Sequence, residues 1–314
     1  MSTNNSSLAC PACGAADMRN WMQGSDRFNG RTELYRLLRC AGCSLVVLGN
    51  PPAPSEMAQH YGTGYDRFIE RAGEHSPERW RARKNTVLKF KSGGALLDLG
   101  CSSGSFLKAM KAPDWRLFGI EMSADAAQKA HTCSGGQIFN GDLLDADFPD
   151  ESFDVVTCFD VLEHVYQPRK VMERIWCWLK PGGILYLAVP NIDSAAVKFF
   201  GSYWYGMELP RHLTHFSPES LQSMARSANL SKVEIITSRY PAVEYSARYV
   251  IDDLLRSANI KRTSLSAEPE PGVPWRIVRK AFRLSFLPVA HLAISTLGRG
   301  ECINAVFAKG ASVR

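Results

Sequence analysis

The chain has no apolar run long enough to cross a bilayer. A span needs about 20 apolar residues, whereas the uncharged stretch Leu284 to Gly298 is shorter and carries Pro288, so a transmembrane reading fails. The opening segment MSTNNSSLAC holds no basic stretch followed by an apolar one. Neither a secretory signal nor a leader anchor is therefore expected, and the expected location is the cytoplasm. A large excess of either charge is lacking as well. A net +6 over 314 residues suits an anionic partner, but with no concentrated basic patch it argues against nucleic acid. No heptad seam stands out, which leaves the oligomeric state open. With 45% hydrophobic and 22% charged residues, the chain reads as a soluble globular protein with one large core and one or two small appendages.

Nine cysteines would be many for disulfides in a reducing compartment, yet four of them form two C-x-x-C pairs, Cys10/Cys13 and Cys40/Cys43, which point to metal. Each pair places two thiolates on one tight turn, and together they supply four soft ligands for a closed tetrahedral Zn2+ site. Gly24 and Asn29-Gly30 between the pairs are turn signals. Residues 1–48 are accordingly expected to form a zinc ribbon. With no open coordination position, its metal would be structural or serve docking, not catalysis.

Residues 49–92 read as a helical linker and lid. The stiff Pro51-Pro52-Ala53-Pro54 connector precedes helical patterns over Ser55–Phe68 and Pro77–Lys91, which are rich in arginine. From Ala95 onward, β-rich runs alternate with helical stretches: Ala95–Leu99, Arg116–Ile120, Gly136–Asn140, Phe153–Phe159, Gly183–Pro190 and Lys232–Ser238. This rhythm predicts an α/β fold, a doubly wound Rossmann-like, mostly parallel sheet, over residues 93–240. The clearest helix runs from Pro168 to Leu179, with Val171, Met172, Ile175, Trp176 and Leu179 on one face. Residues 241–300 break the rhythm as a helical insertion. It comprises a helix near Val243–Ser257, a loop over Thr263–Pro274 and a basic amphipathic segment with Arg276, Arg279, Lys280 and Arg283. Either residues 275–297 lie on the cytoplasmic face of a membrane, or they cap the core as a helix pair. Residues 301–314 supply a final strand, Cys302–Ala308, and a tail.

The chemistry concentrates at strand ends. In LLDLGCSSGSF, Ala95–Leu97 is a buried strand, Asp98 lies near its carboxyl end, and Gly100 and Gly104 open the turn into a helix near Ser105. Ligands of open α/β sheets bind at such ends. Asp98 is placed to accept hydrogen bonds from backbone or from an ammonium group. Glu121 ends the next strand, where an acidic side chain can take both ribose hydroxyls. Asp142 follows the third strand and can hydrogen-bond an exocyclic amine while Leu143 packs on a ring. Phe159 and Asp160 end the fourth strand, ahead of Val-Leu-Glu163-His164-Val.

In these residues the chain resembles the class I S-adenosylmethionine-dependent methyltransferases, over roughly Tyr61 to Ala308. The resemblance implies S-adenosylmethionine as cofactor, with Asp98 and Gly100 near the methionine portion, Glu121 on the ribose, Asp142 and Leu143 at the adenine, and Phe159 and Asp160 bordering the methyl. Cys101, Gly104, Met122 and Tyr65 complete the implied cofactor set. Tyr61 and Tyr65, in YGTGY, either close over the methionine end or pack beneath the lid. Ser102 departs from the family by standing where a second glycine is common, and it argues against a nicotinamide dinucleotide.

The segment Tyr203 to Pro218 follows the fifth strand on the edge that carries the crevice, and it resembles the substrate loop of zinc-ribbon methyltransferases of glycan and natural-product pathways. A hydroxyl nucleophile needs its proton taken. His212 or His215 is the candidate base, unless the pair only holds the loop. Arg211 is expected to hold an anionic group of the acceptor, and His164 and Tyr205 join the candidate acceptor contacts. The expected reaction is methylation, most readily of oxygen, on a small-molecule or glycan acceptor, lipid-linked in one variant. The alternatives are an RNA methyltransferase docking through the ribbon and an inactive cofactor-binding scaffold. Against RNA, the fourth strand ends in Phe159-Asp160, not in an Asn-Pro-Pro-Tyr-like loop.

Overall fold

The computed structural model describes residues 9–61, 76–238, 242–257 and 300–310. Tyr65, the loop Thr263–Pro274 and the membrane-contact candidate at 275–297 lie outside the described residues.

Seven strands form the main sheet: β4 (Gly94–Leu99), β5 (Trp115–Glu121), β6 (Gln137–Asn140), β7 (Phe153–Phe159), β8 (Leu179–Pro190), β10 (Leu230–Ser238) and β11 (Cys302–Lys309). Their order is β10-β11-β8-β7-β4-β5-β6. β4 pairs in parallel with β5 and β7, as do β5 with β6 and β7 with β8, while β11 runs antiparallel between β8 and β10. The central strands are buried on both faces and therefore read as unbroken apolar runs: Ala95, Leu96, Leu97 and Leu99 in β4 and Phe153, Val155, Val156 and Cys158 in β7 are all buried. The C-terminal strand does return to the sheet after the insertion, at an interior position.

Helices α1 (Pro77–Leu88), α2 (Ser105–Met110) and α3 (Ala124–Ser134) share one buried cluster with the sheet, and α4 (Pro168–Trp178) and α6 (Pro218–Ser227) another, while α5 (Ala195–Phe200) and α7 (Ala242–Ser257) pack with Phe28, Tyr35 and Leu37. α4 starts on proline as expected and buries Val171, Met172 and Ile175. Trp178, not Trp176, completes its buried face. Leu179 already opens β8, which begins four residues before the expected start at Gly183. Lys309 closes this end of the sheet, its Nζ donating to Leu179 O and lying 4.2 Å above the Trp176 ring.

The N-terminal unit is a second, antiparallel sheet of β1 (Met18–Ser25), β2 (Leu34–Cys40), β3 (Val46–Leu48) and β9 (Thr214–His215), in the order β1-β2-β3-β9. Its fourth strand comes from the histidine segment of the main domain. β3 and β9 pair through Val46 with His215 and Val47 with Thr214. Cys10, Leu45 and Val47 share one buried cluster with Val189, Phe216 and Leu221. Ribbon and core are thus continuous in both backbone and packing.

Candidate functional site

The crevice begins at the carboxyl end of β4. Cys101 N–H donates to Ile120 O and Gly104 N–H to Cys101 O, which coils residues 100–104 into a tight turn. Two glycines are obligatory there. Gly100 has φ +64, and a Cβ on it would meet Val161 Cγ2 at 2.5 Å. Gly104 has φ +78, and a Cβ would meet Ala130 Cα at 2.7 Å. Ser102, at the position where a glycine is common, takes the left-handed conformation, φ 47. Its N–H donates to Glu121 Oε2 at 3.0 Å, so the turn forms as expected, at the cost of holding a non-glycine residue in a disfavoured region.

Glu121 spans two loops, because its other oxygen accepts from Ser123 N–H at 2.8 Å, just ahead of α3. The carboxylate is thereby fixed at the strand end with lone pairs to spare for hydroxyl donors. Met122 beside it is 72% exposed, an apolar side chain free to cover a flat ring. Asp142 Oδ1 accepts from Leu144 N–H at 2.8 Å and Leu143 is buried. Asn140 Nδ2 donates to Glu121 O and Met122 O and ties these two strand ends together.

Asp98 is buried beneath this rim and accepts from the Thr157 hydroxyl at 2.6 Å. Burial pushes its carboxyl up to about 7; the Thr157 hydroxyl and Arg83 oppose the rise and the Glu121 charge adds to it. Asp160, which has φ 58, meets two guanidinium groups of α1: Arg79 Nη2 at 2.6 Å and Arg83 Nη2 at 3.0 Å. Burial tends to raise its carboxyl, but the two arginines outweigh it and hold the group below its ordinary value. Arg83 also lies 4.0 Å above the Phe159 ring, which packs edge-on to Phe106 and Tyr186. Arg79 and Arg83 were not among the expected site residues. Their spacing of four on an arginine-rich helix was the available signal.

Downstream of Asp160, four candidate residues come together. The His164 and His212 rings lie 4.6 Å apart, centroid to centroid, and those of His212 and His215 6.1 Å apart. Tyr61 Oη is 3.0 Å from His164 Nδ1, which is also 3.1 Å from Arg211 O. His212 Nδ1 donates to Gly206 O at 2.9 Å, which sets its tautomer and leaves Nε2 as the acceptor, 3.5 Å from Glu208 Oε2. Burial above all holds all three imidazoles below their ordinary value, His215 down to about 3. They are neutral at pH 7. His215 has no hydrogen-bond partner on either ring nitrogen among the described residues.

Two carboxylates that the sequence reading passed over complete this cluster. Glu163 is 1% exposed and neither of its oxygens meets a partner among the described residues. Burial, reinforced by Asp160 and Glu208, holds its carboxyl well above the ordinary value. Glu163, His164 and His212 each offer a ligand atom within 4.8 Å of one another, a grouping that could hold a cation. Glu208 is the other, buried between Arg211 and His212.

Arg211 and Tyr205 are placed otherwise than expected. Arg211 is fully buried, and its Nη1 donates to Asp26 Oδ1 at 3.3 Å and His60 O at 3.0 Å. Its charge is answered from within the protein, not left open for an acceptor anion. The Tyr205 ring packs 5.0 Å from Tyr245 of α7 and its N–H donates to Ser246 Oγ, so it belongs to the wall behind the site.

The four ribbon cysteines converge as expected. Cys10 Sγ lies 3.5 Å from Cys43 Sγ and Cys13 Sγ 3.6 Å from Cys40 Sγ, with all four sulfurs within 4.8 Å. Tetrahedral bonds of about 2.3 Å to zinc put sulfurs about 3.8 Å apart. The two knuckles share one backbone design: Gly14 (φ +75) and Ser44 (φ 63), each four residues after the first cysteine of its pair, return N–H groups to Cys10 O and Cys40 O.

Comparison with known proteins agrees with this geometry. A family model described as Methyltransferase domain matches residues 72–235, more than half of the chain. The chain is similar to the ubiquinone biosynthesis O-methyltransferase of Pseudomonas fluorescens, 31% identical over 162 residues that cover 48% of this chain and 69% of the relative. The protein of the same description from Paraburkholderia xenovorans is 28% identical over 156 residues, 46% of this chain and 67% of its own. In fold, the chain is similar to one from the complex between the Haloferax volcanii Trm112 methyltransferase activator and a methyltransferase. The TM-score is 0.52 at 20% identity, covering 81% of this chain and 98% of that one.

Two outcomes follow from the crevice. Gly104→Ala should lower stability by about 2 kcal/mol or more, since it combines a positive φ with a backbone clash, while Ser102→Gly should stay within about 1 kcal/mol of the parent. Chemical denaturation of the two variants checks this, and equal losses would contradict the turn geometry. The second outcome concerns protons. A carboxyl raised to about 7 in the folded state alone makes the ligand-free protein lose stability as pH rises from about 4 through about 7. An ammonium-bearing ligand favours the charged form, so S-adenosylmethionine should release a proton on binding and bind more tightly as pH rises from about 6 to about 8. Calorimetry in buffers of different ionisation enthalpy counts that proton. Affinity falling over this range would remove Asp98 from the ammonium.

Proposed function

Because the chain belongs to the methyltransferase-domain family and is an S-adenosylmethionine-dependent methyltransferase, we propose that it methylates a hydroxyl of a small-molecule or glycan acceptor, with His212 as the base. The observation that carries this reading is a buried, neutral imidazole of set tautomer, its Nδ1 donating to Gly206 O and its Nε2 an acceptor 3.5 Å from Glu208 Oε2. The relatives' description as O-methyltransferases supports oxygen as the accepting atom.

Bound S-adenosylmethionine supplies a methyl group on positively charged sulfur. The chain supplies position. Glu121 takes the ribose hydroxyls, Asp142, Leu143 and Met122 the adenine side, and Asp98 the ammonium. Arg83, whose buried Nη1 has no partner among the described residues, takes the methionine carboxylate. Across the crevice, His212 holds the acceptor hydroxyl in line and takes its proton as the oxygen gains the methyl. Glu208, 3.5 Å from Nε2, stabilises the resulting imidazolium. His215, with no partner among the described residues to set its tautomer, shapes the pocket.

Zinc in the ribbon belongs to the same reading, supported by the sulfur spacing. One zinc per chain is expected by atomic absorption, and none would contradict it. The reaction is assigned to the cytoplasm. A lipid-linked acceptor would bring residues 275–297 to the membrane face, a variant removed if the protein fails to float with anionic vesicles.

His212→Gln should cut turnover by about 10²–10⁴-fold with cofactor affinity unchanged, whereas His215→Gln should lose less. The acceptor is sought by incubating the protein with methyl-labelled cofactor and separate pools of RNA, polar metabolites and lipid-linked glycans. Label in either of the last two pools supports the reading; label in RNA alone, or a loss of only a few fold in both histidine variants, overturns it.

A further inference from the structure

The histidine segment has little structure of its own. Between the turn Tyr205–Met207 and α6 it offers one two-residue strand, and its backbone and charges are answered largely from the ribbon. Leu48 N–H donates to Leu213 O at 2.9 Å, and Val46 and Val47 pair with His215 and Thr214. On the far side Leu213 N–H donates to Glu163 O at 2.8 Å. A backbone ladder thus runs from β2 through β3 to β9 and on to the Glu163-His164 turn. It begins at the metal knuckle, since Cys40 ends β2 and its N–H donates to Leu45 O, next to β3.

A buried charge makes a second tie. Asp26, just after β1, is fully buried. It accepts from Asn29 N–H and Nδ2, lies 2.9 Å from His60 Nδ1 and meets Arg211 Nη1 at 3.3 Å. Arg211 immediately precedes His212, and its Nε is 3.5 Å from Glu208 Oε2, the oxygen that faces His212 Nε2. Asp26 touches none of the pocket histidines except through Arg211 and Glu208. By contrast, the residues of the cofactor side, Asp98, Glu121 and Asp142, have all their hydrogen bonds within the main domain.

We propose that the ribbon is one wall of the acceptor site, and that Asp26 is a positioning residue which, with the metal-set register of β3, holds Arg211, Glu208 and His212 in place. Metal loading of the four cysteines then governs the acceptor side and leaves the cofactor side untouched. The proposal rests on the assignment of this pocket to the acceptor, but its test does not depend on His212 being the base.

The full chain is compared as isolated, after chelation of its metal, and as Asp26→Asn, all with S-adenosylmethionine present. Three readouts are taken: bound metal, cofactor affinity, and amide exchange resolved along the chain. In Asp26→Asn the metal should stay bound and cofactor affinity should remain within about twofold, while exchange over residues 208–216 accelerates by about tenfold or more. In Asp26→Asn/Arg211→Met/Glu208→Gln, which removes all three buried charges, the segment should recover protection, a rescue that a general loss of packing would not produce. Chelation should accelerate exchange in β2, β3 and residues 208–216 together, with β4 and β5 unchanged. Protection of 208–216 persisting in both Asp26→Asn and the chelated protein would overturn the proposal. So would loss of cofactor binding with exchange rising throughout the main sheet.

Discussion

The site depends on one backbone constraint: the chain leaving β4 must turn within five residues, against Val161 on one side and Ala130 on the other. No side chain fits at Gly100 or Gly104. The turn aims the N–H of Ser102 at Glu121 and leaves Asp98 at the floor of an open crevice. Because β4 lies between β5 and β7, the ends of all three strands meet there, at the switch point where α/β sheets bind ligands.

The histidine cluster is built on another basis. Most of its groups are buried, where an unanswered charge is costly, so its carboxylates are met by cations or pushed toward the neutral form. Asp160 meets Arg79 and Arg83, Asp26 meets Arg211, and Glu163, with no hydrogen-bond partner among the described residues, is held well above the ordinary carboxyl value by burial. The histidines stay neutral for the same reason, the form in which an imidazole accepts a proton. The cluster is thus a set of polar groups held in a low-dielectric setting, where each hydrogen bond is electrostatically stronger than in water.

The cofactor half was legible in the sequence. Strands buried on both faces leave continuous apolar runs, and the residues at their ends, Asp98, Glu121, Asp142 and Asp160, follow from where those runs stop. The cysteine pairs were equally readable, because each knuckle is local. What escaped was tertiary. β9 is two residues long and carries no period, so nothing in the sequence announces its pairing with β3. The Asp26–Arg211 contact joins positions 185 apart, and the reading therefore left Arg211 free to bind a ligand. Glu163 and Glu208 look like surface carboxylates until packing from other elements buries them. Trp178 and not Trp176 is the buried tryptophan because it stands three residues after Ile175 and seven after Val171, on the same helical stripe.

Cofactor crevice, histidine cluster and ribbon belong to an S-adenosylmethionine-dependent methyltransferase, and oxygen is its proposed methyl acceptor. The most direct measurement is carbon NMR of the product formed from S-adenosylmethionine labelled with ¹³C in the methyl group. The account predicts a labelled carbon bonded to oxygen in a small molecule or glycan. A label on nitrogen or carbon, or on RNA, would contradict it.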